Sequence, residues 1–428
     1  MKTALSLLLA FILPSAGWAT DTVIRAGTLI DTKAGTTLSD RYILIEDGTI
    51  TDVLSEEEYT RRAVSATMID LSDMTVLPGL SDAHVHLTSD ATLHGYRRLT
   101  RSTPRAAITG VRNAKRTLEA GFTTVRNVGA PDFTDVALRD AITDGDIIGP
   151  QVIPAGRAIG ITGGHCDNNL LPYEYGAVGG GVADGPWEVR GKVRENKKYG
   201  AEVIKFCGTG GVLSKGTTIG AQQFTLEEME AIVDEAHQLG MKATVHAHGE
   251  RGINSAIRAG VDSVEHASLI SDEGIRLALE NGTVLSMDIY VSDYILSEGE
   301  AAGILPASLE KERQVGKAQR ERFQAAVRAG VPIAFGSDAG VYKHGLNGRQ
   351  FAYMVQWGQT PMQAIQSATV INAELFNLDG RIGVIAPGAD ADIIAVDQNP
   401  LQNVRALEDV DFVMADGAVI VGRGSKPN

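Results

Sequence analysis

Between Gly121 and Asp338 the chain repeats one unit. A helix-period segment ends in glycine, a short apolar run follows, and a polar residue closes the run. Gly121 leads to Thr123-Thr124-Val125-Arg126-Asn127, Gly200 to Val203-Ile204-Lys205, and Gly240 to Ala243-Thr244-Val245-His246. Gly260 leads to Val261-Asp262-Ser263-Val264-Glu265-His266, Gly282 to Val284-Leu285-Ser286-Met287-Asp288, and Gly330 to Ile333-Ala334-Phe335-Gly336-Ser337-Asp338. Glycine just past a helix is a C-cap signal, because it enters the left-handed region without a Cβ penalty. One preceding helix is legible residue by residue. Thr225 and Glu228 make a capping box; Leu226, Met229, Ile232, Val233, Ala236 and Leu239 give the apolar face; Gly240 ends it. Helices alternating with short buried strands imply a parallel sheet. Strands around Val76-Leu77 and at Val152-Ile153-Pro154-Ala155 bring the count to eight. The expected fold is therefore α/β, a (β/α)8 TIM barrel, in which functional residues sit at the C-terminal strand ends.

The chain has 428 residues, enough for a barrel of about 250 residues and an accessory domain. Both ends carry a different texture from the middle. Tyr42-Ile43-Leu44-Ile45 followed by Glu46-Asp47-Gly48, and Phe412-Val413-Met414-Ala415 followed by Asp416-Gly417, alternate and turn as antiparallel strands do. The expected layout is a small β-sandwich formed by residues 20–75 and 378–428 around a barrel over 76–377. Residues 1–19 read as a signal peptide. Lys2 is the positive start, Ala4 to Leu13 an apolar run too short to span a bilayer, and Gly17-Trp18-Ala19 a small-residue cleavage site. The mature chain is thus expected in a periplasm or outside the cell. The net charge of −14 disfavours nucleic acid and anionic membranes as partners. An oxidising compartment permits a disulfide between the two cysteines, Cys166 and Cys207; each neighbours a candidate site residue, which weighs against the bond, and the sequence leaves the pairing open.

His84-Val85-His86 places two imidazoles on one face of a strand, since residues two apart point the same way. An isolated pair of this kind is weak evidence. Here, however, His246, His266 and Asp338 close successive apolar runs, and imidazole with carboxylate is the donor set of catalytic zinc. Lys205 also closes a run. An ammonium would be repelled by divalent cations, and burial with that repulsion favours the neutral amine. A neutral amine can add carbon dioxide and become a carbamate, an anionic ligand with two oxygens that can bridge two metals. His237, on the helix before Gly240, is expected on an exposed face, and His94 and His344 are expected to be solvated loop residues.

Pro78-Gly79-Leu80-Ser81-Asp82-Ala83-His84-Val85-His86, Val203-Ile204-Lys205, Val245-His246-Ala247-His248-Gly249, Val264-Glu265-His266, Gly336-Ser337-Asp338 and Gly388-Ala389-Asp390-Ala391-Asp392-Ile393 together resemble the amidohydrolase superfamily. Within it the chain looks like the imidazolonepropionase-like dipeptidases. Gly163-Gly164-His165-Cys166-Asp167, Gly208-Thr209-Gly210-Gly211-Val212 and Ser286-Met287-Asp288-Ile289-Tyr290 are most similar to the branch that cleaves before Arg or Lys. The resemblance implies two zinc ions per subunit, one held by His84, His86 and Asp338, the other by His246 and His266, with carboxylated Lys205 and a hydroxide bridging. It implies Asp338 as the proton shuttle, and His165 and His248 as groups that meet the substrate. Prolidase-type members carry tyrosine at the position of His248, which weakens a proline-specific reading. Mononuclear deaminases carry a glutamate where this chain has Gly249. The implied activity is hydrolysis of a dipeptide, with release of a C-terminal Arg or Lys; an N-acyl amino acid or ochratoxin-like amide is the alternative. The resemblance also implies a homo-oligomer, with an octamer among the forms related enzymes suggest. Asp288 is expected to face a substrate guanidinium at a mouth ringed by Asp293 and Glu298, with Tyr290 beside it.

Overall fold

The computed structural model describes residues 22–62 and 64–422. The expected leader at 1–19 lies outside them. Three strands, Leu80–Val85, Phe122–Asn127 and Gln151–Pro154, form one parallel sheet. Five more, Val203–Cys207, Lys242–Ala247, Ser263–His266, Val284–Ser286 and Ile333–Ala334, form another. Backbone bonds join the two arcs at both seams. Ile159 N donates to Lys205 O and Cys207 N to Ile159 O, each at 2.9 Å; on the other side Ala83 N reaches Phe335 O at 2.8 Å and His86 N reaches Ala339 O at 2.7 Å. Helices fill the connections, as the glycine-punctuated repeat requires.

The helix Leu226–Gln238 shows why the repeat folds this way. Its capping box forms on both sides, and Met229, Ile232, Val233 and Ala236 are buried against the sheet. Burying each of the larger side chains contributes about 1.5–3 kcal/mol. Gly240 follows at φ 72°, where a side chain would be strained. Leu226 departs from the expected apolar face, being 37% exposed at the first turn.

The two chain ends meet in one seven-stranded sheet. Its hairpin turns at Asp47-Gly48 and Asp416-Gly417 have both central residues at positive φ, the turn that matches the twist of paired strands. Two expectations change here. Val76-Leu77 do not start the barrel. They end the strand Thr67–Pro78, which pairs with Thr22–Asp31 and then with Ile393–Val396, so Leu77 sits opposite Ile394; the first strand of the parallel arcs is Leu80–Val85. The two chain ends also do not build separate sheets: that one long strand joins the N-terminal and C-terminal sets into a single sheet, whose two halves share one apolar core.

The cysteines are not free. Cys166 and Cys207 form a disulfide with Cα atoms 6.0 Å apart. Neighbouring the site is no obstacle, since the bond ties the loop after His165 to the end of the strand carrying Lys205. It closes a sequence separation of 41 residues, for which chain entropy gives about 4 kcal/mol, with measured cases at about 2–4 kcal/mol. Replacing both cysteines by serine should lower unfolding stability by that amount in denaturant titration; an unchanged midpoint would count against a structural bond.

Candidate active site

The C-terminal ends of the eight strands surround a cavity of about 820 Å³, and His84, His86, Lys205, His246, His266 and Asp338 all line it. His165 and His248 line it too. A second cavity, near the opposite strand ends around Gly260, Gly282 and Gly330, holds none of these residues.

Three groupings bring potential metal-binding atoms within 4.8 Å of one another: His84, His86 and Asp338; His246, His248 and His266; and His266, Asp288 and Asp338. Asp338 Oδ1 lies 3.4 Å from His84 Nε2 and 3.5 Å from His86 Nε2. The rings are held from behind. His86 Nδ1 donates to Gly129 O at 3.1 Å; a carbonyl only accepts, so the lone pair of this neutral ring is on Nε2. His84 Nδ1 lies 2.9 Å from Glu265 Oε2, and His266 Nδ1 lies 3.0 Å from both Asp288 oxygens. Carboxylate or carbonyl on one ring nitrogen, with the other facing a shared point, is how proteins orient histidines toward a metal. His246 Nε2 is buried without any hydrogen-bond partner, a costly state unless an ion takes the lone pair. Burial holds His84, His86 and His246 below the usual histidine range, so their rings are neutral and able to ligate. Lys205 is 3% exposed, and burial pushes it down to about 8, toward the amine that can take up carbon dioxide. The donor set fits a pair of divalent cations.

Backbone strain sits at the same place. His266 and Asp338 adopt φ of 68° and 56°, left-handed values that are uncommon outside glycine. His266 ends its strand, Asp338 lies in the loop after Ile333–Ala334, and both line the cavity. The Asp338 turn is fixed by Asp338 N donating to His84 O at 2.8 Å and by Asp82, whose Oδ1 accepts from Ser337 N and His84 N. Asp82 thus joins the first strand to the eighth, and its burial pushes it up to about 6.

His165 and His248 are neutral rings anchored by serines: His165 Nδ1 is 2.8 Å from Ser214 Oγ, and His248 Nδ1 is 2.8 Å from Ser268 Oγ. His165 stacks on His246 with centroids 4.0 Å apart. A hydroxyl gives or takes such a bond, so either ring can hold its proton on Nε2 and donate to a carbonyl.

The expected acidic mouth does not form. Asp288 is 2% exposed, and its oxygens are engaged by His266 Nδ1 and by Gln319 Nε2 at 2.8 Å. Asp293 pairs with Arg320 at 2.6 Å and accepts from Tyr353. Tyr290 takes no part in the cavity wall; its hydroxyl accepts from Arg349 at 3.0 Å. Asp293 and Glu298 lie in the helix Val291–Ala302 rather than in an open loop. Asp288 orients His266, so Asp288→Asn should cost about 10- to 100-fold in kcat/KM, equally for Xaa-Arg and Xaa-Leu substrates. A loss confined to Xaa-Arg would restore the guanidinium role.

Of two histidines expected in solvent, His344 is buried and His94 half-buried. His344 Nδ1 meets Thr117 Oγ1 at 2.9 Å, and His94 Nε2 donates to Val341 O at 2.9 Å. Their loops fold back over the cavity rim, which local sequence does not reveal. His237 is exposed as expected and pairs with Asp262 at 2.9 Å. Glu250, beyond the Gly249 position, starts a surface helix and does not line the cavity.

The comparisons agree with this geometry. The model of the amidohydrolase family matches residues 75–420. The chain belongs to the amidohydrolase family. Ochratoxinase of Aspergillus niger is 32% identical to this amidohydrolase over 97% of the chain and 90% of its own length. A crystal structure of a Xaa-Pro dipeptidase with methionine bound in its active site superposes with TM-score 0.87 at 38% identity, covering 94% of this chain and all of that one. A prolidase complexed with N-methylphosphonate-L-proline gives TM-score 0.85 at 32% identity, covering 94% of this chain and all of that one. The amidohydrolase is accordingly a hydrolase of C–N bonds in small molecules.

Proposed function

We propose that this amidohydrolase cleaves the amide bond of a dipeptide or an N-acyl amino acid and releases the C-terminal amino acid. The observation that carries the proposal is the convergence of three candidate metal-binding groupings, one of histidines alone and two of histidine with carboxylate, in the cavity that buried Lys205 also lines. His84, His86 and Asp338 would hold one divalent cation and His246 and His266 a second, with Lys205 as a carbamate between them; zinc suits this donor set. Bound there, the pair would supply Lewis acidity toward a carbonyl and lower the pKa of water.

The chain's own groups then have defined tasks. Asp338 lies within 3.5 Å of His84 Nε2 and His86 Nε2 in the cavity, where a carboxylate can take a proton from water and give it to the departing amine. His165 and His248 orient the substrate carbonyl by donation from Nε2. Asp288, Glu265 and Gly129 hold the ligand rings in place. The likeness to ochratoxinase, to a Xaa-Pro dipeptidase and to a prolidase supports an amide next to a free amino-acid carboxylate. With Asp288 and Asp293 engaged elsewhere, a basic C-terminal side chain has no partner among the acids first expected to bind it, and Arg or Lys preference stands on the resemblance alone. Export to an oxidising compartment, with a leader over residues 1–19, belongs to the same reading, and the Cys166–Cys207 bond supports it.

A library of dipeptides and N-acyl amino acids assayed on zinc-reconstituted protein tests the proposal. Hydrolysis with two cations per chain by elemental analysis is expected. No turnover on any amide, or full activity with one cation, would overturn it.

A further inference from the structure

The cavity is also lined by two cations, Arg98, which is exposed, and Arg101, which is half-buried. They flank the end of the short helix Gly95–Thr100, with Arg101 as its C-cap residue. Neither side chain makes an ion pair or hydrogen bond among the described residues, and Arg101 Nη1 is buried with no partner. The acids that could have served are taken. Asp90 accepts from Thr92 at 2.7 Å and faces Arg112 at 3.5 Å. Asp132 pairs with Arg157 at 2.6 Å. Lys215, the neighbouring cation, lies over the Tyr96 ring at 5.5 Å.

An unpaired guanidinium with a buried nitrogen is costly. Two side by side repel each other, and protein surroundings depress the pKa of both. Such an arrangement is relieved by an anion that enters the cavity. Arg98 and Arg101 line the same cavity as His165, the ring that faces the reacting carbonyl in the proposed function, so an anion held by them shares the space of the reaction site. In a dipeptide or N-acyl amino acid, the α-carboxylate is joined to the scissile carbonyl through only the amide nitrogen and Cα. A planar guanidinium matches a carboxylate with paired donors, which a lysine ammonium does not.

We infer that Arg98 and Arg101 form the subsite for the free α-carboxylate of the leaving amino acid, and thereby restrict this enzyme to amides at a C-terminal residue. The inference rests on the proposed function, and its test separates the two. In the kinetic arm, kcat/KM is measured for a hydrolysed dipeptide and for its C-terminal amide, in wild type and in Arg98→Gln/Arg101→Gln. The double variant should lose about 10- to 100-fold on the acid, the range for a lost charge-assisted bond, and little on the amide, mainly through KM, with cation content unchanged. Arg98→Lys in place of Arg98→Gln should restore part of the acid-over-amide ratio. In the binding arm, calorimetry compares L-leucine with L-leucinamide on the zinc-loaded proteins. Tighter binding of leucine to wild type, collapsing in the double variant, is expected even if no dipeptide turns over, in which case the proposed function fails while the carboxylate subsite stands. Equal binding of acid and amide by wild type, or an acid preference that survives in the double variant, overturns the inference.

Discussion

Lys205→Ala should abolish hydrolysis, lowering kcat/KM on the order of 10³-fold or more, because it removes a group on which both cation positions would depend. Lys205 ends the strand Val203–Cys207, is 3% exposed, and lines the same cavity as all five other expected ligands. Its backbone oxygen accepts from Ile159 N across a seam of the two arcs, and this bond survives the substitution, so the strand should keep its place. Bound cation should fall in step with activity. A short carboxylic acid such as propionate, at high concentration, fits the space the side chain leaves and should partly restore both. Elemental analysis beside the rate separates this from a folding defect. Full activity with two cations in the alanine variant would remove Lys205 from the site.

The second large effect is on stability. Arg126 is wholly buried within the parallel strands and donates to Ala83 O at 2.7 Å, Ser263 Oγ at 3.1 Å and Glu265 Oε1 at 2.7 Å. Glu265 also accepts from Thr244 and lies beside His84. Arg126→Met should destabilise the fold by about 3–5 kcal/mol, since it strands the Glu265 carboxylate in the interior without its counter-charge. Adding Glu265→Gln should recover part of that loss, because the lone charge is then gone. It should not recover cation affinity, because His84 Nδ1 no longer faces a carboxylate, and affinity should stay about 10- to 100-fold weaker. Denaturant midpoints of the single and double variants, with cation titrations, read both effects. An additive double variant would mean that the two residues do not act as a pair.

Residues near in sequence carried much of the fold and the ligand set. A helix stop is written in a glycine, a strand in a short apolar run, and a shared face in the spacing of His84 with His86 or of His246 with His248. Each depends only on backbone period and local sterics. The polar residues that close those runs could therefore be named as candidate ligands before any coordinates, and they line one cavity. Glu265 was hidden by the same rule. Strict alternation puts it on the face opposite His266, but His266 turns left-handed and both side chains point inward.

What the tertiary structure alone decided are the through-space pairings. Asp288 has the right type and place for a substrate partner, yet His266 and Gln319 occupy its oxygens. Cys166 and Cys207 are bonded although their neighbours suggested free thiols. Nothing in the local sequence singles out Arg98 and Arg101, and only the cavity lining shows them without a side-chain partner among the described residues. The physical reason is common to all three. Local sequence sets backbone conformation and the direction of a side chain, whereas the worth of a charge, a thiol or a ring nitrogen depends on what stands within a few ångströms, and residues far apart in the chain supply that.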